Sequence, residues 1–343
     1  ALSVTKAMAD YFRPIVQTDI ARPNGAYVLA GGWTWFDTVE VMSRNAIPRI
    51  IPAADVPDHV LSRLTSPRGQ VAGLDMARAN IMGILNVTPD SFSDGGKFEG
   101  FDEAVNHAIE MQKAGADMLD IGGESTRPGA AYVPSHVEIG RTVPVISALR
   151  NHDATAYTPI SIDTRKADVA EAALASGATL VNDVYAMTHD PAMGAVTASS
   201  GAPICLMHAS GDPETMQDDP QYDDVVLDVY DFLSERIEAA VACGIARTDI
   251  WIDPGIGFGK TLEHNLALLK RLSVLHSLGC PILLGASRKR FIGTITNAPQ
   301  ADQRVIGSVA VALEGFRQGV QITRVHDIEA TRAAFDMAGA ICS

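Results

Sequence analysis

The stretch IMGILNVTPDSFSDGGKF, Ile81–Phe98, changes character halfway. Ile81–Val87 is a short apolar run that reads as a strand buried on both faces, the pattern of a parallel sheet. The remainder is polar, with Asn86, Thr88-Pro89-Asp90 and Ser93-Asp94-Gly95-Gly96. A buried strand opening into such a loop is either an ordinary surface turn or the mouth of an active site. The rest of the chain decides between them.

Seven further β-prone runs follow: Asp117–Ile121, Pro159–Asp163, Thr179–Val184, Pro203–His208, Asp249–Asp253, Pro281–Gly285 and Gln321–His326. Helical patterns lie between them. Phe101–Ala114 sets Phe101, Val105, Ala108 and Ile109 on one stripe before Gly115. Ser135-x-x-Glu138 has the form of a capping box. Arg165–Ser176, Asp223–Cys243, Leu262–Leu278 and Asp302–Gln318 each end at a glycine, and Ile328–Ala338 closes the chain. Eight βα units over residues 76–343 have the count and length of a (β/α)8 barrel, a TIM barrel. The competing doubly wound sheet is disfavoured because no GxGxxG follows the first strand.

Residues 1–75 differ, with Trp33, Trp35 and prolines at 14, 23, 48, 52, 57 and 67. Strand-like pieces at Phe12–Val16, Tyr27–Ala30 and Thr38–Met42 and a short helix at His59–Leu64 imply a small strand-containing extension without catalytic residue types.

Among the 343 residues, 47% are hydrophobic and 20% charged, as in a globular protein with a sizeable core. The net charge of −14 argues against a nucleic-acid surface, so an anionic substrate needs a local cluster of cations. No apolar run is long enough to span a membrane, and no secretion leader is read. Cys205, Cys243, Cys280 and Cys342 form no CxxC pair; reduced thiols and a cytoplasmic location are expected.

Barrel chemistry belongs at the C-terminal strand ends. There the sequence places Asn86, Glu124-Ser125-Thr126-Arg127, Asp163, Asn182-Asp183, His208, Asp253, Ser287-Arg288-Lys289, and Arg324 with His326. Ordinary turns favour Ser, Asp, Asn and Gly; recurring Arg, Lys and His at buried turns point to a site. Arg127, Arg324 and His326 form an anion-facing group, because a guanidinium fork matches phosphate oxygens. A structural salt bridge from Arg324 to Asp327 or Glu329 is the plainer alternative. Asn86 offers a neutral oxygen suited to a magnesium ion that keeps its waters and bridges phosphates. Asp163, Asn182, Asp253 and Lys289 suit the rim of a flat heterocycle carrying donors and acceptors, although paired carboxylates also serve as metal ligands or as an acid/base couple. In DPGIGFGK (253–260), the glycines permit close backbone approach to a ligand, and Phe258 reads as a pocket wall.

NVTPDSFSDGG (86–96), DIGGESTRPGA (120–130), SIDT (161–164), VNDV (181–184), DPGIGFGK (253–260), SRK (287–289) and RVHD (324–327) together resemble the dihydropteroate synthase family over about residues 80–328, in order and without a missing block. The resemblance implies a transferase of folate biosynthesis. Such an enzyme condenses 6-hydroxymethyl-7,8-dihydropterin diphosphate with p-aminobenzoate, giving 7,8-dihydropteroate and diphosphate, with Mg²⁺ as cofactor. It assigns the pterin to Asp163, Asn182, Met207, Asp253 and Lys289, and p-aminobenzoate to Thr126, Arg127, Pro128, Phe258 and Ser287. Diphosphate falls to Asn86, Thr126, Arg127, Arg324 and His326, with Asn86 also on the metal. Phe92 and Asp94 lie on a closing loop and, with Lys289 and Arg127, take catalytic roles.

It further implies small-molecule substrates only, inhibition by sulfonamides, and a homodimer, for which Val305, Val309, Ala312, Leu313 and Phe316 offer an apolar face. The chain departs from the family pattern at Ala209-Ser210-Gly211, at Arg290, and in its first 75 residues. A pterin-dependent methyltransferase would need neither the anion group nor the full NVTPDSFSDGG loop, and a barrel that merely binds pterin would be expected to have lost Asn86, Asp94, Arg127 or Lys289.

Overall fold

The computed structural model describes residues 9–88, 97–125, 132–211 and 220–342. The extension opens with β1 (Tyr11–Pro14), β2 (Tyr27–Val28), β3 (Trp35–Phe36), β4 (Thr38–Ser43), β5 (Ala46–Pro52) and helix α1 (Asp58–Thr65). β1, β4 and β5 pair antiparallel in that order, over a core that includes Leu29, Phe36, Val39, Val60 and Leu64. β5, which carries Pro48 and Pro52, was not anticipated. It forms as the edge of its sheet, where a missing N–H interrupts no ladder.

The hairpin β6 (Gln70–Val71) and β7 (Leu74–Asp75) leads into the barrel. In chain order this is β8 (Asn80–Asn86), α2 (Lys97–Lys113), β9 (Met118–Gly122), α3 (Ser135–Arg150), β10 (Ile160–Asp163), α4 (Ala167–Ala175), β11 (Leu180–Asp183), α5 (Met193–Ser200) and β12 (Ile204–Met207). Then come α6 (Val225–Ala242), β13 (Ile250–Asp253), α7 (Leu262–Lys270), β14 (Leu283–Leu284), α8 (Arg290–Thr296), α9 (Val305–Arg317), β15 (Ile322–Val325) and α10 (Ile328–Cys342). The eight strands β8–β15 pair parallel, and a bridge between Ile252 and Ile282 joins β13 to β14 and closes the cylinder. All eight anticipated strands are present: the fold is a (β/α)8 barrel.

Alternation along each strand sorts the side chains into two cores. Ile81, Leu85, Leu119, Ile121, Ile160, Ile162, Ile204, Ile250 and Ile252 pack outward against the helices. Met82, Met118, Leu180, Trp251, Leu283 and Ile322 form a separate inner cluster, which Val71 and Leu74 of the hairpin and Met76 join. The hairpin therefore plugs the floor of the barrel, and the inward positions one step further along each strand are left for the opposite rim.

Three local expectations change. The helix foreseen over Leu262–Leu278 is α7 followed by a 3-10 helix at Leu272–Leu278. α5, built of Met193-Gly-Ala-Val-Thr-Ala-Ser-Ser200, shows no apolar stripe in the sequence and was missed. The capping box at Ser135 does not form. Pro134 precedes the helix without a side-chain cap, and Glu138 is fully buried with its carboxylate 2.5 Å from Lys166 Nζ. A buried ammonium needs that carboxylate more than a solvated helix end does.

The extension is fastened to the barrel by polar contacts. The Tyr11 hydroxyl donates to Asp231 (2.9 Å), and Arg44 pairs with Asp228 (2.7 Å) and Asp231 (2.8 Å). The Trp33 indole N–H donates to the Phe316 carbonyl (3.0 Å), and the two rings lie 5.1 Å apart. Phe316 and Ala312 are buried, and Phe316 also meets Phe335, so that part of the apolar face foreseen for a dimer is already covered. The Asp231→Ala change leaves Tyr11 and Arg44 without their shared acceptor. It is expected to lower stability by about 2 kcal/mol in urea unfolding, in one transition common to extension and barrel.

Candidate active site

The rim residues reach one another across the barrel. Arg324, on β15, donates through Nε to Asp120 Oδ2 (2.5 Å) and through Nη2 to Asp163 Oδ2 (2.7 Å). Asn182, on β11, points its amide at both Asp120 oxygens (3.3 and 3.4 Å). Asp163 Oδ1 is buried and has no hydrogen-bond partner among the described residues. A buried carboxylate oxygen without a donor costs about 1–3 kcal/mol, which a ligand N–H would recover.

Burial pushes the Asp163 carboxyl up to about 7, against the pull of Arg324 and aided by the charge of Asp120. Burial likewise raises Asp253, opposed by Lys289 and by the Gly255 N–H that donates to its Oδ1 (2.7 Å). It lowers Lys289 to about 7, although Asp253 draws the other way. Acids held up and an amine held down, facing one another at a rim, mark a site able to exchange hydrogen bonds and protons with a ligand near neutral pH. Met207, buried at the end of β12 in register with Asp253, supplies an apolar wall.

On the adjoining side the Lys289 ammonium donates to the Ile256 carbonyl and lies 4.3 Å from the centroid of the half-buried Phe258 ring. The Ser287 hydroxyl lies 3.1 Å from His326 Nδ1 and accepts the His326 backbone N–H (3.2 Å). The sequence divided these two between p-aminobenzoate and diphosphate; the structure makes them neighbours. Asn86 ends β8 half-buried.

Several assignments are redirected. The plainer alternative for Arg324 named Asp327, but Asp327 is taken by Arg288 in a two-point pair (2.5 and 3.0 Å). Arg324 is bound instead by two rim aspartates. Two of the glycines of 253–260 are also required by the packing of neighbouring loops. A Cβ at Gly255, whose φ is +66°, would lie 1.8 Å from the His208 carbonyl oxygen, and Gly259 abuts Ser210 in the same way. These glycines seat the β13 loop on the β12 loop. Phe92, Asp94, Thr126, Arg127 and Pro128, and with them the closing loop and much of the anion group, lie outside the described residues.

Sequence reasoning missed Asp120, which organises the centre. The signal was present: it sits two residues after the inward Met118 on the same strand, so alternation turns it inward. It also missed the buried cluster behind the rim. There Glu124 receives Arg165 (3.1 and 3.2 Å) and Lys166 (3.0 Å), and its Oε1 accepts the Val133 N–H (2.9 Å).

With the geometry in hand, comparison with known proteins is decisive. Residues 82–326 match the family described as pterin binding enzyme. The chain belongs to that family of barrel enzymes. Within it, the chain is 46% identical to the dihydropteroate synthase of Synechocystis over 264 residues, covering 77% of this chain and 90% of that one. The Bacillus subtilis dihydropteroate synthase is 45% identical, covering 73% of this chain and 84% of that one. The Xanthomonas albilineans dihydropteroate synthase, solved with 4-aminobenzoic acid, superimposes with a TM-score of 0.74 at 46% identity, covering 79% of this chain and 96% of that one. The same enzyme has been solved with 7,8-dihydropteroate, and the Yersinia pestis one with a sulfonamide drug.

The raised Asp163 value carries a pH signature. An unfolded chain ionises this carboxyl near the ordinary 3.8 and the folded chain only near 7, so stability falls as pH rises through that window. Asp163→Asn removes the effect. The stability of the variant relative to wild type, followed by thermal melting, is therefore expected to climb with pH across the window and level off above it. The slope is at most about 1.4 kcal/mol for each pH step of one. A difference flat in pH would contradict the assignment.

Proposed function

We propose that the chain transfers the dihydropterin-methyl group of 6-hydroxymethyl-7,8-dihydropterin diphosphate to the amine of p-aminobenzoate, releasing diphosphate. The observation that carries this is the rim of Asp120, Asp163, Asn182, Asp253, Lys289 and Arg324 in a chain of this family. Asp163 Oδ1 and the Asp253 carboxylate accept N–H groups from the amino-pyrimidinone edge, Asn182 contributes a donor and an acceptor, and Met207 lies against the ring face.

Arg324 uses two of its five N–H groups on the aspartates, leaving donors for the diphosphate beside His326. Ser287 orients the His326 ring for this task. Arg127 and Thr126 are assigned to the same anion by the family pattern. Asn86, at the end of β8, offers a neutral oxygen that would hold a magnesium ion together with substrate oxygens. When bound, the ion supplies charge neutralisation at the departing diphosphate.

The cations of this chain stabilise the leaving group, and the family pattern implies that departure precedes attack. The aromatic amine is neutral at pH 7 and needs positioning more than activation; Phe258 is placed to line its ring. Phe92 and Asp94 are assigned to the loop that excludes water and faces the electron-poor methylene. No described helix is long and apolar enough to cross a membrane, in keeping with small soluble substrates. Pairing of two copies through α9 fits the exposed Ile306, although Phe316 is committed to Trp33.

Incubation with the pterin diphosphate, Mg²⁺ and p-aminobenzoate is expected to yield dihydropteroate. Pterin binding without product would instead define a binding protein. Asp253→Asn, which removes a buried acceptor, is expected to weaken pterin binding at least about 100-fold by calorimetry. Retained turnover would remove Asp253 from the pocket.

A further inference from the structure

Lys260 closes the DPGIGFGK loop, and neither the pterin nor the diphosphate reading uses it. It is 3% exposed, and its ammonium meets three acceptors: the Phe258 carbonyl (3.0 Å), His208 Nδ1 (2.9 Å) and, at longer range, the His208 carbonyl (3.4 Å). His208 is itself buried, edge-on to Phe232 at 4.8 Å between ring centroids. A buried ammonium is costly, and one amide or hydroxyl would satisfy one carbonyl. Only three tetrahedral donors reach both loops at once.

The loop has no regular ladder; apart from the turn in which the Phe258 N–H meets the Gly255 carbonyl (3.1 Å), its backbone groups are held by side chains. The carbonyls of Ile256, Phe258 and Gly259 each take one donor, from Lys289, Lys260 and the Tyr222 hydroxyl (2.8 Å) respectively. The Gly255 and Gly257 N–H groups are held by Asp253 (2.7 Å) and Asn265 (2.7 Å). Phe258 therefore sits at the centre of a latched shelf, with the Lys289 ammonium resting on its ring at 4.3 Å. Whatever fixes the Phe258 backbone also fixes the height of that ring beneath the ammonium, which the Ile256 carbonyl holds separately.

We propose that Lys260 is a positioning residue: anchored on His208, its ammonium latches the Phe258 carbonyl and so sets the Phe258 ring at the p-aminobenzoate side of the site, while Lys289 keeps its own bond to the Ile256 carbonyl. This rests on the reading of the site as the pterin and p-aminobenzoate pocket. Burial holds both Lys260 and His208 below their ordinary values, with the charge of Lys289 adding to this at Lys260, and a neutral His208 ring offers its Nδ1 as an acceptor.

The test uses the full chain with Lys260→Met, which keeps the length of the side chain and removes the donors, and Lys260→Gln, which restores one. Amide exchange at residues 255–258 is expected to speed up at least about tenfold in Lys260→Met, with barrel-strand amides unchanged. The KM for p-aminobenzoate is expected to rise about tenfold and kcat to fall, while the KM for the pterin diphosphate changes by less than about threefold, because Asp163, Asn182 and Asp253 stay in place. Lys260→Gln recovers part of both effects.

Wild-type kinetic constants in folded Lys260→Met overturn the proposal, as does faster exchange with equal changes in both KM values, or altered kinetics with exchange unchanged. If Lys260→Met does not fold, Tyr222→Phe loosens the same shelf at Gly259. A smaller shift of the same sign then supports the latch, and no shift overturns it. A wild-type chain that makes no dihydropteroate defeats the reading of the site, and the exchange comparison alone then decides the latch.

Discussion

The site depends on one guanidinium held between two carboxylates inside a barrel. Arg324 bonds Asp120 and Asp163 at 2.5 and 2.7 Å, and Asn182 leans on the same Asp120. Burial, with the nearby Asp120 charge adding to it and Arg324 opposing it, holds the Asp163 proton up to about 7. That burial makes the rim receptive. An N–H-rich heterocycle completes the open acceptor of Asp163, and the unused donors of Arg324 remain available to an anion at the same mouth. Replacing the three groups by apolar side chains would relieve the burial cost and erase the site with it.

The surroundings keep that arrangement rigid. The hairpin fills the floor with Val71 and Leu74, so the inner volume is packed below the rim and open only above it. At the rim, irregular backbone is secured by side chains, as around Phe258. Behind it, the buried Glu124–Lys166–Glu138 cluster braces the strand ends of β9 and β10. The extension contributes no rim residue among those described. Its contacts through Tyr11, Arg44 and Trp33 bind it to α6 and α9 on the flank of the barrel, which makes it part of the scaffold.

Much of this was legible in the amino-acid order. The alternation of short β-prone runs with glycine-terminated helices placed all eight barrel strands, because each strand is buried on both faces and each helix on one stripe. The rim residues were legible for the same reason: a polar or charged side chain at the end of a buried strand needs a partner. Local chemistry misled where burial overrode it. Glu138 reads as a helix cap but serves a buried lysine, and Gly255 and Gly259 turn out to admit the neighbouring β12 loop.

The sequence by itself determined the fold class and the family and brought Asp163, Asn182, Asp253 and Arg324 to strand ends, since these follow from periodicity and from motifs carried in single segments, though it passed over Asp120. Only the tertiary structure decided who bonds whom. Arg324 and Asp120 lie 204 residues apart, and Lys260 and His208 52 apart. No local pattern encodes such pairs. They are fixed by the closing of the cylinder, which sets β15 beside β8 and β13 beside β12, and by the burial that forces each charge brought inside to find its complement.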